Sequence, residues 1–138
     1  MNRRIADNVI PISTPLDISF FRAWLDFTAP LHNLTNSERQ VMACYLKKHY
    51  ELSKDVLKDS LLGSFLMSYE VKKEVMETCN IKPSSLQVIL SKFRKTGLMV
   101  DGKINPKLIP AITKEVEDSK EFRLMVRFTI TNDNAGSN

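Results

Sequence analysis

The chain has 138 residues, of which 43% are hydrophobic, and this suffices for one globular domain with a single core. No apolar run approaches the roughly 20 residues of a membrane span, and the N-terminal residues lack the apolar stretch of a signal peptide, so we expect neither. The formal net charge is +4, but residues 82–107 hold six basic side chains against one acidic one, which concentrates the positive charge there.

Residues 1–16 are predicted to form an extended N-terminal arm. The run Val9-Ile10-Pro11-Ile12 is too apolar for a solvated tail, and Pro11 and Pro15 exclude a helix through it. Such an arm needs a groove or a sheet edge to lie on, in its own domain or in a neighbour. Because free apolar side chains are unfavourable in water, we expect the arm to contact another protein chain. The candidate assembly contacts in the arm are Val9, Ile10 and Ile12.

A first helix is predicted from a cap at Asp17 or Ser19 to about Thr28. Its aromatic and large apolar residues exceed what one face of a lone helix can use. The helix is therefore expected to be deeply buried or to form part of an interface, so three of its residues join the candidate assembly contacts. These three are Phe20, Phe21 and Trp24.

Two further helices are predicted before residue 67. Thr35 and Glu38 have the spacing of a capping box, which opens a helix to about His49. Its core-facing residues are expected to be Val41, Met42, Tyr45 and Leu46. Residues 54–66 form the next helix, in which Gly63 is a weak point. Its inward-facing residues are expected to be Val56, Leu57, Leu61, Leu62 and Phe65.

The next segment has the order helix, turn, helix. Ser68 can cap a helix over residues 69–79, and Asn80 can end it in the left-handed conformation. Pro83 fits the first turn of a second helix, over residues 83–96. The inward stripe of this second helix follows the helical period. It consists of Leu86, Ile89, Leu90 and Phe93.

A small hairpin is predicted directly after the second helix. Gly97 can end the helix, and Asp101-Gly102 is a strong two-residue turn between short strands. Helix, turn, helix and hairpin in this order predict a winged helix-turn-helix. The second helix and the hairpin also provide candidate DNA-binding residues, of which Gln87 suits adenine. The full set is Lys82, Ser84, Ser85, Gln87, Ser91, Lys92, Arg94, Lys95 and Lys103. The same face could equally be a solvated one, and the serines could simply cap the helix.

The C-terminal part is predicted to contain a polar linker over residues 113–120 and then a strand over residues 122–131. In the strand, apolar side chains alternate with basic and hydroxyl ones, which is typical of a strand with one buried face. Residues 132–138 have the composition of a tail. The fold class is therefore mainly α with a small β part: an arm over 1–16, a single winged-helix domain over 17–131 that includes the C-terminal strand, and a tail.

No constellation of residues supports catalysis, and we expect neither an enzyme nor a bound cofactor or metal. Cys44 and Cys79 each fall on an apolar helical face, which favours core thiols in a reducing compartment over a disulfide or a metal pair. His32 and His49 have no ligand spacing to them. An intracellular origin is expected, in a cytosol or in a particle assembled there.

Three stretches resemble a small protein of crAss-like tailed bacteriophages. They are VIPISTPLDI, LTNSERQVMACYLKKHYELSKDV and LSKFRKTGLMVDGKINPKLIP, and the resemblance extends over about residues 5–130. It implies a phage-encoded protein. Small proteins of such phages include ring-forming components of the portal-to-tail connector as well as DNA-binding factors. The resemblance assigns no functional residue.

Two functions are therefore expected as alternatives. The first is a structural component of a virion, in the portal-to-tail connector or a tail ring, whose partners are other virion proteins and copies of itself in a homo-oligomeric ring. The second is a double-stranded DNA-binding protein, such as a transcription or packaging factor. A winged-helix fold alone does not separate them, because such folds also bind proteins.

Overall fold

The computed structural model describes residues 9–54 and 59–132. They form a mainly helical fold with one two-stranded antiparallel sheet. The helices are α1 Ile18–Phe27, α2 Ala29–His32, α3 Asn36–Ser53, α4 Asp59–Leu66, α5 Tyr69–Cys79, α6 Pro83–Lys95 and α7 Lys114–Ser119. The strands are β1 Met99–Val100 and β2 Lys103–Ile104, and a 3-10 turn, Pro106–Leu108, follows them. The predicted inward positions 56 and 57, the first half of the arm and nearly all of the tail lie outside the described residues.

The helices begin at the predicted caps. The Asp17 carboxylate accepts a hydrogen bond from the backbone N–H of Ser19 at the start of α1. Thr35 and Glu38 cap α3 reciprocally, each side chain accepting from the other residue's backbone N–H. At the start of α5, the Ser68 hydroxyl accepts a hydrogen bond from the backbone N–H of Val71. Because each cap satisfies a backbone donor that lacks a partner within the helix, these short polar residues fix where the helices start.

Helix α3 is the centre of the core. Six consecutive residues over 41–46 are buried, which in a helix means that neighbours cover every side. Helices α1 and α5 both pack on α3. Helix α1 contributes the buried residues Phe21 and Leu25 to the shared core, and α5 contributes Val71 and Val75. The predicted core positions of α3 are confirmed.

The helix, turn, helix and hairpin order is also confirmed at the level of the elements. Asn80 ends α5 in the left-handed conformation, with φ 52°, and α6 begins three residues later at Pro83. Gly97 adopts φ 74° after α6. Asp101 and Gly102 both have positive φ, as a tight hairpin turn requires, and pair Met99 with Ile104 across the sheet.

The hairpin turn packs directly on α4. A Cβ added to Gly102 would lie 2.1 Å from the carbonyl oxygen of Gly63, so two glycines allow the two backbones to approach. Gly63, the predicted weak point of α4, is therefore the position at which this helix contacts the hairpin turn. Of the predicted inward residues of α4, Leu62 is buried as expected, but Leu61 and Phe65 are exposed and Leu66 takes a buried position instead.

The C-terminal part differs from the sequence-based prediction in two ways. The expected linker contains α7, which Thr113 caps through the backbone N–H of Val116. The expected strand over 122–131 is not a strand within the described residues, although apolar and polar side chains alternate along most of this segment. An alternating pattern specifies which face a strand would bury, but a strand also needs a neighbour for its backbone hydrogen bonds. The described sheet offers this segment none.

Candidate interaction surfaces

Most of the described part of the arm is exposed. Residues 9–13 are exposed, and the Ile10 side chain retains 83% of its accessible surface. Val9 and Ile12 are exposed as well, although each is a large apolar residue. Residues 9–15 belong to no helix or sheet, and the chain then leads directly into α1. These three side chains are therefore available to another chain.

The three candidate residues on α1 lie in two different environments. Phe21 is only 1% exposed and belongs to the core, so it is not a surface contact. Phe20 and Trp24 are half-buried beneath the Phe122 ring, at centroid distances of 5.2 and 5.6 Å with edge-to-face geometry. The Trp24 indole N–H also donates to the Leu108 carbonyl at 2.7 Å. The chain's own C-terminal segment thus covers the aromatic face of α1.

Beyond Phe122, the C-terminal segment leaves the domain. Residues 123–132 are all exposed, and the apolar side chains of Phe128 and Ile130 retain 86% and 93% of their accessible surface. Leu124, Met125 and Val126 are exposed too. The C-terminal segment contacts α1 through Phe122, and residues 9–17 lead into the N-terminus of the same helix. Residues 9–13 and 123–132 therefore both present exposed apolar side chains outside any helix or strand.

The outer face of α6 is polar and basic. Most of the candidate DNA-binding residues are exposed on it or beside it. The exposed ones are Lys82, Ser84, Ser85, Gln87, Arg94, Lys95 and Lys103. Val88, which is 70% exposed, interrupts the polar surface in the middle of the helix. Ser91 is half-buried beside the Arg94 guanidinium.

Lys92 differs from its basic neighbours because it is paired inside the domain. Its ammonium donates to both carboxylate oxygens of Glu38, at 2.8 and 2.9 Å. Burial acts to raise the pKa of Glu38, but the hydrogen bonds from Lys92 and from the Thr35 backbone outweigh it and hold that pKa below its usual value. The pair ties α6 to the start of α3. Lys92 is thus a structural contact and is not a free cation for phosphate.

The hairpin turn is less exposed to solvent than expected for the wing that the sequence predicts. Gly102 is buried against α4, so the turn does not project as a free tip. Lys103 is exposed on the strand that follows. The α6 face is therefore the principal basic surface of this region.

Sequence reasoning missed several contacts that shape these surfaces. The Tyr50 hydroxyl donates to the Glu117 carboxylate, and Lys54 pairs with the same carboxylate at 3.0 Å, which holds α7 to the end of α3. The cover that Phe122 provides for α1 was also missed. Both contacts join residues more than 60 positions apart, and no local pattern encodes such pairs.

His32 is a buried core residue. Its ring nitrogens bond to the Leu25 carbonyl oxygen at 2.8 Å and to the Leu34 backbone N–H at 3.0 Å. Across residues 9–54 and 59–132, no group of three or more His, Cys, Asp or Glu side chains is placed to hold a metal ion. Over the same residues, no helix combines the length and apolarity needed to cross a membrane.

Comparisons with known proteins give no assignment. No protein-family profile matches the chain, and neither a curated protein nor a solved structure matches it. Function must therefore be inferred from the surfaces themselves.

Proposed function

We propose that this protein is a structural assembly component, which joins copies of itself and neighbouring proteins through its N-terminal arm and its C-terminal segment. The observation that carries the proposal is that residues 9–13 and 123–132 lie outside any helix or strand and expose large apolar side chains. Monomeric proteins rarely expose contiguous apolar surface of this kind unless it binds something.

Apolar burial of the arm does not exceed the cost of ordering its backbone, so a partner must supply further contacts. Burying Val9, Ile10 or Ile12 would contribute about 1.5–3 kcal/mol each, while ordering the backbone costs about 1–2 kcal/mol per residue. Apolar burial alone therefore barely orders such a segment. Strand addition to a neighbouring chain supplies backbone hydrogen bonds as well, and the alternation over 122–131 suits this mode because one face would be buried.

The resemblance of the sequence to a small protein of crAss-like tailed phages supports a more specific form of the proposal. A portal-to-tail connector or tail ring is built from repeated subunits, and head-to-tail contacts between identical subunits generate a ring where the rotation closes. We therefore place the protein in the virion, with copies of itself and other virion proteins as partners.

The test is the mass of the purified chain by light scattering over a range of concentrations. Wild type should form oligomers. Two variants should remain monomeric, one with Val9→Ser, Ile10→Ser and Ile12→Ser, and one with Phe128→Ser and Ile130→Ser. A matched control removes exposed apolar surface elsewhere, through Phe27→Ser and Leu31→Ser, and should assemble as wild type does.

Circular dichroism should show the same helical content in all four proteins, because none of the changed residues lies in the core. A wild type that stays monomeric at every concentration would contradict self-assembly. Equal loss of assembly in the Phe27 and Leu31 control would mean that general hydrophobicity, and not the two segments, drives association.

A second candidate function is binding to double-stranded DNA, and the exposed polar and basic face of α6 favours it. In this alternative, α5, α6 and the hairpin act as a winged helix-turn-helix, with α6 in the major groove and its basic end on phosphates. The pairing of Lys92 with Glu38 and the contact of the hairpin turn with α4 weaken it, since both remove expected DNA contacts.

Salt dependence tests this alternative. Arg94→Ala and Lys95→Ala should each reduce the slope of log affinity against log salt by about 1, because each side chain would release about one counterion. Lys92→Ala should leave the slope unchanged, which revises the expectation from sequence. Lys114→Ala, an exposed cation on α7, is the control. Affinity at low salt that is unaffected by removing Arg94 and Lys95 together would rule out α6 as the DNA site.

A further inference from the structure

The two cysteines of the chain meet between α3 and α5. Cys44 lies in the middle of α3 and Cys79 is the last residue of α5, and their sulfur atoms are 3.6 Å apart. Both are free thiols. The sulfurs need to approach by roughly 1.5 Å to reach the length of a disulfide bond. Side-chain rotation supplies movement of this size, so the packed helices already hold the pair near bonding geometry.

We propose that Cys44 and Cys79 form an intramolecular disulfide when the protein meets a small-molecule disulfide such as oxidised glutathione. A metal is a poorer explanation for the pair, because no further His, Cys, Asp or Glu side chain joins the thiols in a metal-binding group within the described residues. The proposal does not depend on the assembly function. It concerns a cross-link inside one chain.

The different burial of the two thiols assigns their roles. Cys79 is half-exposed, whereas Cys44 is buried. The hydrogen bond between them lowers the pKa of Cys79, while that bond together with burial raises the pKa of Cys44. The thiolate is the attacking form, so Cys79 is the residue that meets the oxidant and Cys44 is the residue that completes the bond.

The reaction balances in two exchanges. The Cys79 thiolate attacks one sulfur of oxidised glutathione, which forms a mixed disulfide and releases one glutathione. The Cys44 sulfur then attacks Cys79 Sγ, the glutathione–Cys79 bond breaks, and the second glutathione leaves. The two protons of the cysteines end on the two glutathione thiols, and the two electrons of the pair reduce one disulfide.

The product would cross-link residues 35 positions apart and fix α5 to α3. A cross-link of this span restricts the unfolded chain, so oxidation should raise the melting temperature by about 5–10 °C. Because α5 begins the helix-turn-helix order, the same bond would stiffen the packing of that unit on the core.

The test uses the wild-type chain, equilibrated with oxidised glutathione, then alkylated under denaturing conditions and weighed by mass spectrometry. The expected product has lost two hydrogen atoms, takes up no alkylating agent and yields a Cys44–Cys79 linked peptide after proteolysis. Recovery of both thiols in alkylated form would overturn the proposal. So would a cross-link between chains, or a mixed disulfide at Cys79 that never resolves.

Two variants test the assigned order. Cys44→Ala should accumulate glutathione on Cys79, since the second exchange is impossible. Cys79→Ala should leave the buried Cys44 unmodified while the protein is folded. Equal reaction rates at the two positions would overturn the assignment of Cys79 as the attacking thiol. Neither variant should show the rise in melting temperature on oxidation.

Discussion

The hairpin after α6 and the segment over 122–131 contrast in one respect. The hairpin strands have only two residues each, yet they pair, because the Asp101-Gly102 turn brings the second strand back beside the first. The C-terminal segment has a much longer alternating pattern, but no turn or sheet edge among residues 9–54 and 59–132 provides a partner for it. A strand thus depends more on an available neighbour than on the strength of its own pattern, and for 122–131 we propose that another chain provides that neighbour.

The largest expected effect on the free energy of unfolding comes from comparing a phenylalanine in the core with one in the C-terminal segment. Phe93 is fully buried on α6, so Phe93→Ala should lower the free energy of unfolding by about 3–5 kcal/mol. Phe128→Ala removes the same atoms from an exposed position and should change it by less than about 0.5 kcal/mol in the monomer. Chemical denaturation at a concentration where the chain is monomeric measures both. A large loss in Phe128→Ala would mean that the segment already packs on its own domain.

The hairpin turn provides a second comparison, between two glycines with positive φ. Gly102→Ala should cost about 2–4 kcal/mol, because its Cβ would collide with the Gly63 carbonyl and the conformation is strained for any side chain. Gly97 has the same backbone strain but open space around it, so Gly97→Ala should cost only about 1 kcal/mol. Equal losses in thermal or chemical denaturation would show that the hairpin turn does not rest on α4.

The ion pair between α3 and α6 has a smaller expected effect, which depends on pH. Glu38→Gln keeps a side chain that can accept the capping hydrogen bond but loses the charge facing Lys92, and should cost about 0.5–1 kcal/mol at pH 7 because Lys92 is partly exposed. The folded state lowers the pKa of Glu38 from its ordinary value of 4.5, so protonation favours unfolding. The stabilisation is present above pH 4.5 and is lost as the pH falls through the lower folded-state pKa.

Denaturation curves of wild type and Glu38→Gln between pH 7 and pH 3 measure this dependence. The two proteins should differ at neutral pH and converge at the acid end. A difference that stays constant over the whole range would mean that the capping contact of Glu38, and not its charge, carries the effect.

Local patterns in the sequence predicted the parts of the fold that local interactions determine. The Thr35 and Glu38 capping box, the left-handed Asn80 and the Asp101-Gly102 turn all lie where short-range spacing places them. Only Leu62 of the inner face of α4 was predicted correctly, because the orientation of this helix depends on Gly63 meeting Gly102, a residue 39 positions away.

For the candidate surfaces, the sequence predicted which side chains are exposed more often than which distant residues they contact. Exposure of the arm agrees with its expected availability to a partner, and most of the basic face of α6 is exposed as the helical period indicates. The periodicity could not show that Lys92 is paired with Glu38, nor that Phe122 covers Trp24, because both depend on how distant elements pack. Phe21 is also a candidate assembly contact by sequence, but it faces the core, and the packing of α1 on distant elements decides this.

The most direct test of the central claim is hydrogen–deuterium exchange of the backbone amides over 122–131, measured at increasing protein concentration. If a second chain completes this strand, protection should be absent at low concentration and should rise as the protein assembles, while the amides of α3 stay protected throughout. Exchange over 122–131 at the rate of an unstructured peptide at every concentration, including those at which light scattering detects oligomers, would contradict the claim that this segment joins one chain to the next.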